Sequence, residues 1–227
     1  MFRRADRALV MIREARLSEV DFGAMRAAMV ASQLRTSDVN DSAVIAAMAS
    51  VPRENYVPAP RRSTAYVDRP IALENGEVMN PPLVTGRLLT LAQVRPGDKV
   101  LLLGDTTGYT AAILAEIGAQ VTMVSESTKP SNLPASIQWS KGNPAKGSAK
   151  GAPYDIIIID GAVQEFPATL ASQLIDGGKV VLGLVERGVT RLCSGRKALE
   201  TVGFVRHYDM DMAVLPGFES KSAAFVF

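Results

Sequence analysis

Hydrophobic and polar positions along the chain follow two different patterns, and the change lies near residue 95. Before it, apolar residues recur about every 3.6 positions over Val20–Leu34, which predicts an amphipathic helix. Two more helices are predicted over Ser42–Ser50 and over Leu83–Ala92, the second of which is preceded by two prolines. Val51–Pro60 is punctuated by prolines and is predicted to be extended.

After residue 95, short apolar runs alternate with helical segments. Ile156–Ile159 is apolar at every position, as in a parallel strand that is covered on both faces. The alternation predicts βαβ units and a doubly wound α/β sheet with parallel strands and helices on both faces. Ser140–Gly151 is rich in Lys, Gly, Ser and Pro and is predicted to be a flexible surface loop. The predicted strands are Lys99–Leu103, Gln120–Ser125, Tyr154–Asp160 and Lys179–Leu184, and the predicted helices are Tyr109–Ile117 and Pro167–Leu174.

The composition limits the class of protein. Of 227 residues, 47% are hydrophobic and 21% are charged, which is typical of one globular domain or of one domain with an added subdomain. The 25 Lys and Arg nearly balance the 23 Asp and Glu, so nucleic acid is not expected as the main partner. One cysteine, Cys193, and one histidine, His207, exclude an internal disulfide, a cysteine-rich metal site and any site that needs two histidines.

The apolar runs are strand-length, so neither a membrane span nor a membrane partner is expected. Met1–Glu14 begins with basic residues, as signal peptides do, but charged residues follow its short apolar part directly. We interpret this start as an extra amphipathic helical turn or a frayed terminus. A cytoplasmic location is therefore predicted, and a reduced Cys193 is consistent with it.

Val100–Tyr109 is the stretch most indicative of a ligand site, because a strand runs there into a glycine-containing loop and then a helix. Backbone N–H groups at such a helix N-terminus favour an anionic or polar, nucleotide-like ligand. Asp105 either accepts a hydrogen bond from a cofactor amino group or caps the helix, and Thr107 is an equally good cap. Asp160 ends a central strand at the carboxyl edge, where open α/β sheets bind ligands. A plain strand-to-helix turn has the same glycine spacing, so the loop alone leaves both interpretations open.

Further short sequence motifs occur along the chain, and their order and spacing resemble those of the protein-L-isoaspartate O-methyltransferases. The resemblance covers Gly23 to Phe227. The motifs around Gln33–Arg35 and Val51–Pro58 are quite specific to that family, whereas the later motifs are shared with many S-adenosyl-L-methionine (SAM) methyltransferases. The closing motif, Leu215–Glu219 with Ala224–Phe227, resembles that of a bacterial subgroup. The other motifs are Met29–Val39, Val51–Pro58, Ala65–Asp68, Pro96–Leu101, Gly108–Ala115, Ala152–Ile159 and Gln173–Val181.

The resemblance implies a class I methyltransferase fold. Residues 95–227 would form a seven-stranded, Rossmann-like core, and residues 1–94 a helical and extended addition that helps build the substrate cleft. It also implies methyl transfer from SAM to the α-carboxyl group of L-isoaspartyl (D-aspartyl) residues in damaged proteins, without a metal. The partner is then an isoaspartyl-containing protein or peptide. The cofactor is expected over the loop, on Gly104, Asp105, Thr107, Gly108 and Tyr109, with Asp160 on the same rim.

The chain departs from the family pattern at several cofactor positions. Leu102 and Thr106 stand where the family has an acid and the middle glycine of the loop. Ser125 stands where an acid binds the ribose hydroxyls, and the adjacent Glu126 either replaces that acid or is a solvated loop residue. The helix expected after this strand is shortened to Ser127–Ser136. These losses predict weak cofactor binding.

The substrate-loop motif of the family aligns with Val78, Met79, Asn80 and Pro82, and Asn80 stands at the position of the catalytic serine. An amide can still donate a hydrogen bond to a substrate carboxylate, so Asn80 is the candidate catalytic residue. It is equally well interpreted as a turn residue before Pro81. We expect slow or absent methyl transfer. Two alternatives stay open, a non-catalytic homologue that acts as a binding or interaction module, and a methyltransferase with another small acceptor.

Overall fold

The computed structural model describes residues 20–218 of the chain. The predicted turn in Met1–Glu14 and the closing motif Ala224–Phe227 lie outside these residues. The helices are α1 (Phe22–Met29), α2 (Ser42–Ser50), α3 (Pro82–Ala92), α4 (Tyr109–Ile117) and α5 (Ala168–Ala171). The strands are β1 (Ile71–Ala72), β2 (Val78–Met79), β3 (Lys99–Leu103), β4 (Gln120–Ser125), β5 (Gln138–Lys141), β6 (Tyr154–Val163), β7 (Leu174–Glu186), β8 (Val189–Ala198) and β9 (Thr201–Asp209). Across this part of the chain, none of the helices has the length and apolar character needed to cross a membrane.

The first three helices follow the sequence prediction closely. The carboxylate of Asp21 caps α1, which therefore begins two residues after the predicted start and continues as π-helical and 3-10 turns to Ser37. Asp41 caps α2, whose predicted bounds are confirmed. α3 begins one residue earlier than predicted, at Pro82, because proline fits the first turn of a helix.

Two local predictions outside the candidate site are wrong. Val51–Pro60 is not extended but contains the 3-10 turn Arg53–Tyr56 and the start of a second, Ala59–Thr64, because proline is compatible with a first helical turn as well as with a strand. α5 is a single turn and ends before the predicted Leu174, since β7 begins there and pairs with the start of β6. Asp176–Gly178 lies within β7 as an irregularity, because the pairing with β6 shifts register between Leu174 and Lys179 and Gly177 has a φ angle of +73°.

Strands β3 to β9 form one seven-stranded sheet in the order β5-β4-β3-β6-β7-β8-β9. Neighbouring strands from β5 to β7 are parallel, whereas β8 pairs antiparallel with both β7 and β9. This confirms that the four strands predicted from the apolar runs lie parallel in one sheet. It also confirms the doubly wound, seven-stranded fold class with an N-terminal helical addition that precedes the sheet in the chain. β1 and β2 form a separate antiparallel pair.

Alternate residues of the central strands face two apolar cores. Val100 and Leu102 of β3 pack with α2, α3 and α4 in the first core. Leu101 and Leu103 pack in the second core, which also holds Phe218 near the end of the described chain. The first core mixes residues from both sides of the predicted boundary at 94–95, so the N-terminal helices pack directly on the sheet.

The topology brings the ends of β3, β4 and β6 to one edge of the sheet. Gly104 follows β3, Glu126 follows β4, and β6 continues past Asp160. Residues 210–218, named here the closing segment, return to the same edge, where Val214 forms a parallel bridge with Ala162 of β6. The candidate site therefore lies between the glycine loop, the end of β6 and the closing segment.

Candidate active site

Two glycines and one aspartate build the loop between β3 and α4. Gly104 and Gly108 have φ angles of +81° and +84°, in the left-handed region that favours glycine. The Asp105 carboxylate accepts hydrogen bonds from three backbone N–H groups, those of Thr107, Gly108 and Ala111, at 3.1, 2.8 and 2.9 Å. Of the two roles predicted for Asp105, the geometry therefore supports the cap of α4. The hydroxyl of Thr107 also donates to this carboxylate.

Asp160 and Asn80 are joined by hydrogen bonds at the buried edge of the sheet. Asp160 Oδ2 accepts from the Thr110 hydroxyl at 2.6 Å, and Oδ1 accepts from Asn80 Nδ2 at 2.8 Å. Asn80 Nδ2 also donates to the backbone oxygen of Asp160 at 3.1 Å, and Asn80 Oδ1 accepts from Ala213 N at 2.9 Å. Both amide hydrogens of Asn80 are thus engaged, which leaves none to orient a substrate carboxylate. Asn80, the candidate catalytic residue, therefore links Asp160 of β6 to Ala213 of the closing segment, and these hydrogen bonds are named here the clasp.

Burial is the main cause of the raised pKa values of the two aspartates at this edge. Together with the charge of Asp160, it raises the pKa of Asp105 to about 6, although three backbone N–H groups favour the charged form. Burial also raises the pKa of Asp160 against the opposing effects of Thr110, Asn80 and Arg53. The two carboxylates give this part of the site a negative potential when ionised.

Arg53 is a site residue whose role no sequence pattern indicates. Its side chain is fully buried; Nε donates to Ala65 O at 2.8 Å and Nη2 donates to Asn80 O at 2.6 Å. The guanidinium carbon lies 4.7 Å from the ring centroid of Tyr109, the first residue of α4. Burial lowers the pKa of Arg53, while Tyr109 and Asp160 act in the opposite direction. Its place in the Val51–Pro58 motif was the only sequence signal for it, and that signal did not indicate burial.

Little space is left directly above the glycine loop. The cavity lined by Gly104, Thr107, Asn80 and Asp160 has a volume of about 10 Å³, which is room for one water molecule. The side chain of Leu215 packs on Gly104, because a Cβ atom built on that glycine would lie 2.5 Å from Leu215 Cδ1. The closing segment therefore covers the first glycine of the loop.

A larger cleft of about 670 Å³ opens beside the loop. Thr106, Thr107 and Glu126 all line it, and the exposed Glu126 carboxylate makes no hydrogen bond or ion pair with any described residue. Ser125 is buried, and its hydroxyl accepts a hydrogen bond from Trp139 Nε1 at 3.2 Å. The other charged side chains in the wall are Arg62, Lys129 and Lys141, together with Glu74 and Glu77.

The residues after β4 close this cleft without forming a helix. The Ser127 hydroxyl donates to the carboxylate of Glu77, and the Asn132 amide donates to the backbone oxygen of Asn55. Both bonds join the segment after β4 to the N-terminal part of the chain. Ser127–Ser136, predicted as a shortened helix, is therefore an irregular wall of the cleft.

The remaining predicted site residues are divided between surface and interior. Val78 and Met79 line the small cavity, whereas Pro82 is buried in the first turn of α3 and lines neither space. Tyr109 is buried against Arg53. Within residues 20–218, no group of three or more His, Cys, Asp or Glu side chains is placed to hold a metal ion.

Comparison with known proteins gives consistent matches. The family model of protein-L-isoaspartate(D-aspartate) O-methyltransferase matches residues 25–203. A protein-L-isoaspartate O-methyltransferase from Koribacter versatilis is 36% identical over 170 residues, which are 71% of this chain and 77% of that protein. A protein-L-isoaspartate O-methyltransferase 1 from Rhodopseudomonas palustris is 33% identical over 71% of this chain and 69% of that protein.

Two solved structures share the fold. One, a protein-L-isoaspartate O-methyltransferase, matches with a TM-score of 0.72 and 20% identity over 85% of this chain and 66% of its own, so this chain spans just under two thirds of it. The other, from Plasmodium falciparum and in complex with S-adenosyl-L-homocysteine (SAH), matches with a TM-score of 0.69 and 17% identity over 84% of this chain and 97% of its own. On the family model and the sequence relatives, the chain belongs to the protein-L-isoaspartate O-methyltransferase family.

Proposed function

We propose that the chain is a SAM-dependent carboxyl methyltransferase that modifies L-isoaspartyl residues of proteins. Membership of the family supports the reaction and the kind of substrate. The observation that carries the proposal is the cleft beside the glycine loop, where Thr106, Thr107 and the unpaired carboxylate of Glu126 line one space. This space is at the carboxyl edge of a doubly wound sheet, where such sheets bind ligands.

The cleft fits the nucleoside part of SAM. Its volume of about 670 Å³ lies within the range of about 300–1,000 Å³ that is common for small-molecule sites. Glu126 would accept hydrogen bonds from the ribose hydroxyls, in place of the acid that the family has at Ser125. When bound, SAM supplies an electrophilic methyl group on a sulfonium cation, and the negative potential of Asp105 and Asp160 suits a cation. The methionine part does not fit above Gly104 in this arrangement, because the cavity there holds one water.

The acceptor makes modest demands on the protein. A carboxylate is already a nucleophile, so the chain has mainly to align it and to exclude water. Asn80 has no free amide hydrogen for that alignment. The cleft wall carries three cations and three carboxylates, so an acidic peptide would be held by local contacts with Arg62, Lys129 or Lys141 rather than by a net positive charge. We therefore expect methyl transfer to be slow.

A second candidate is a non-catalytic homologue that keeps the fold as a binding module. The engaged side chains of Asn80 and Asp105, and the packing of Leu215 on Gly104, favour it. Under either candidate the proposed location is the cytoplasm. There Cys193 would stay a thiol, and burial raises its pKa and so lowers its reactivity.

Transfer of a labelled methyl group from SAM to an isoaspartyl peptide tests the proposal, and the same peptide with a normal aspartate is the control acceptor. We expect transfer to the isoaspartyl peptide alone. Glu126→Gln should weaken SAH binding about tenfold, because a neutral acceptor replaces a charged one. Glu116→Gln, on the exposed side of α4, should leave it unchanged. No transfer and no SAH binding would favour the binding module, and transfer to both peptides would indicate another acceptor.

A further inference from the structure

We infer that the closing segment, residues 210–218, is a strap whose middle, Ala213–Leu215, has to leave the carboxyl edge before the methionine part of a cofactor can lie over Gly104. The inference rests on the proposed function, because it concerns access to the same site. It starts from a conflict between two observations. The nucleoside part of SAM has a cleft of about 670 Å³, whereas the space above the glycine loop is about 10 Å³.

Beside that small cavity, whose walls come from β2, α3 and the glycine loop, one side chain of the closing segment takes up the remaining space at Gly104. A Cβ atom built on Gly104 would lie 2.5 Å from Leu215 Cδ1, and one built on Gly161 would lie 2.7 Å from Leu215 Cγ. Leu215 therefore covers both glycines, one after β3 and one within β6. Only glycine leaves room for a leucine this close to the backbone, so the same small residues that would admit a cofactor here admit Leu215.

The attachment of the strap to the sheet edge is short. Ala162 N donates to Ala213 O at 2.7 Å, Leu215 N donates to Ala162 O at 2.8 Å, and Ala213 N donates to Asn80 Oδ1 at 2.9 Å. Val214, between these bonds, is 58% exposed. A segment held by a few bonds and one half-buried leucine can open without unfolding the sheet below it.

The two ends of the strap are anchored more firmly than its middle. Met212 is buried, and a Cβ atom built on Gly183 of β7 would lie 2.9 Å from its sulfur atom. Phe218 is buried in the second core. Opening is therefore expected to be a local release of Ala213–Leu215 between two fixed points. Asn80 acts as the latch, because it holds Ala213 and Asp160 at once.

Calorimetry with SAH on the full chain tests the strap, with Leu215→Ala as the test variant and Val214→Ala as its matched control. Leu215→Ala removes the side chain over Gly104, so we expect it to bind SAH at least about tenfold more tightly than the native chain. Val214→Ala alters an exposed neighbour and should bind as the native chain does. Equal affinity of the native chain and Leu215→Ala would overturn the strap while leaving the proposed function intact.

Hydrogen exchange on the native chain provides a second readout that needs no variant. If the strap opens, SAH will accelerate exchange at the amides of Ala162, Ala213 and Leu215, although ligands usually slow exchange in the sites they bind. Slower exchange at these amides in the presence of SAH would show that the segment is a fixed wall of the site and would overturn the inference. Failure of the native chain and of Leu215→Ala alike to bind SAH would overturn both the strap and the cofactor proposal.

Discussion

Alanine in place of Asn80 would remove a clasp that joins distant parts of the chain. The Asn80 side chain donates twice to Asp160 and accepts once from Ala213. In Asn80→Ala, Asp160 Oδ1 and the backbone oxygen of Asp160 lose this donor, and the Ala213 N–H loses its acceptor. Thr110 continues to donate to Asp160 Oδ2, so the carboxylate keeps one partner.

The groups left without partners determine the size of the effect. A buried polar group without a partner costs about 1–3 kcal/mol. The adjacent cavity of about 10 Å³ and the space freed by the shorter side chain can admit a water, which offsets part of that cost. We therefore expect Asn80→Ala to lower the free energy of unfolding by about 2–4 kcal/mol, within a typical total of about 5–15 kcal/mol, so that the protein stays folded.

Urea unfolding followed by the fluorescence of Trp139, the single tryptophan of the chain, measures this loss. Asn40→Ala is the matched control, since Asn40 is exposed and its side chain makes no hydrogen bond with the described residues, so its removal should cost less than about 0.5 kcal/mol. Asn80→Ser should fall between the native chain and Asn80→Ala, because a hydroxyl supplies one donor where the amide supplies two. A loss below about 1 kcal/mol for Asn80→Ala, at an unchanged dependence on urea, would refute the reasoning.

Two further predictions concern the charges beside this clasp. In the folded chain the pKa of Asp105 is raised to about 6, so the folded state still holds a proton at a pH at which the unfolded state has lost it. Asp105 therefore makes the free energy of unfolding fall by up to about 1.4 kcal/mol per pH unit as the pH rises from about 4 to about 6. Unfolding curves across that range should therefore show a smaller fall for Asp105→Asn, and parallel pH profiles would contradict this assignment. Arg53→Met should lower stability by at least about 2 kcal/mol, because the backbone oxygens of Ala65 and Asn80 lose their donor, and Arg53→Lys should restore only part of it. Urea unfolding of both variants checks this, and a fully stable Arg53→Met would show that water replaces the guanidinium.

The local sequence determined the sheet and the position of the glycine loop. The central strands are covered on both faces, so they have to be apolar, and β3, β4 and β6 were recognised for that reason. The strand-loop-helix order then places Gly104 and Asp160 at the carboxyl edge, since parallel strands with right-handed crossovers end there. Local patterns failed where contacts with distant residues decided the backbone, as in Val51–Pro60, which contains 3-10 turns, and in Ser127–Ser136, which is irregular.

The tertiary structure alone decided which polar groups meet at that edge. Asn80 lies 80 residues from Asp160 and 133 residues from Ala213 along the chain, so no local pattern indicates that they touch. Caps and turns depend on neighbours within about four residues, whereas these contacts depend on how far β6 runs and where the closing segment returns. In the sequence Asn80 therefore resembles an amide that is free to bind a substrate. In the folded chain its amide hydrogens bond to Asp160 and its amide oxygen accepts from Ala213, so no amide hydrogen is left for a substrate.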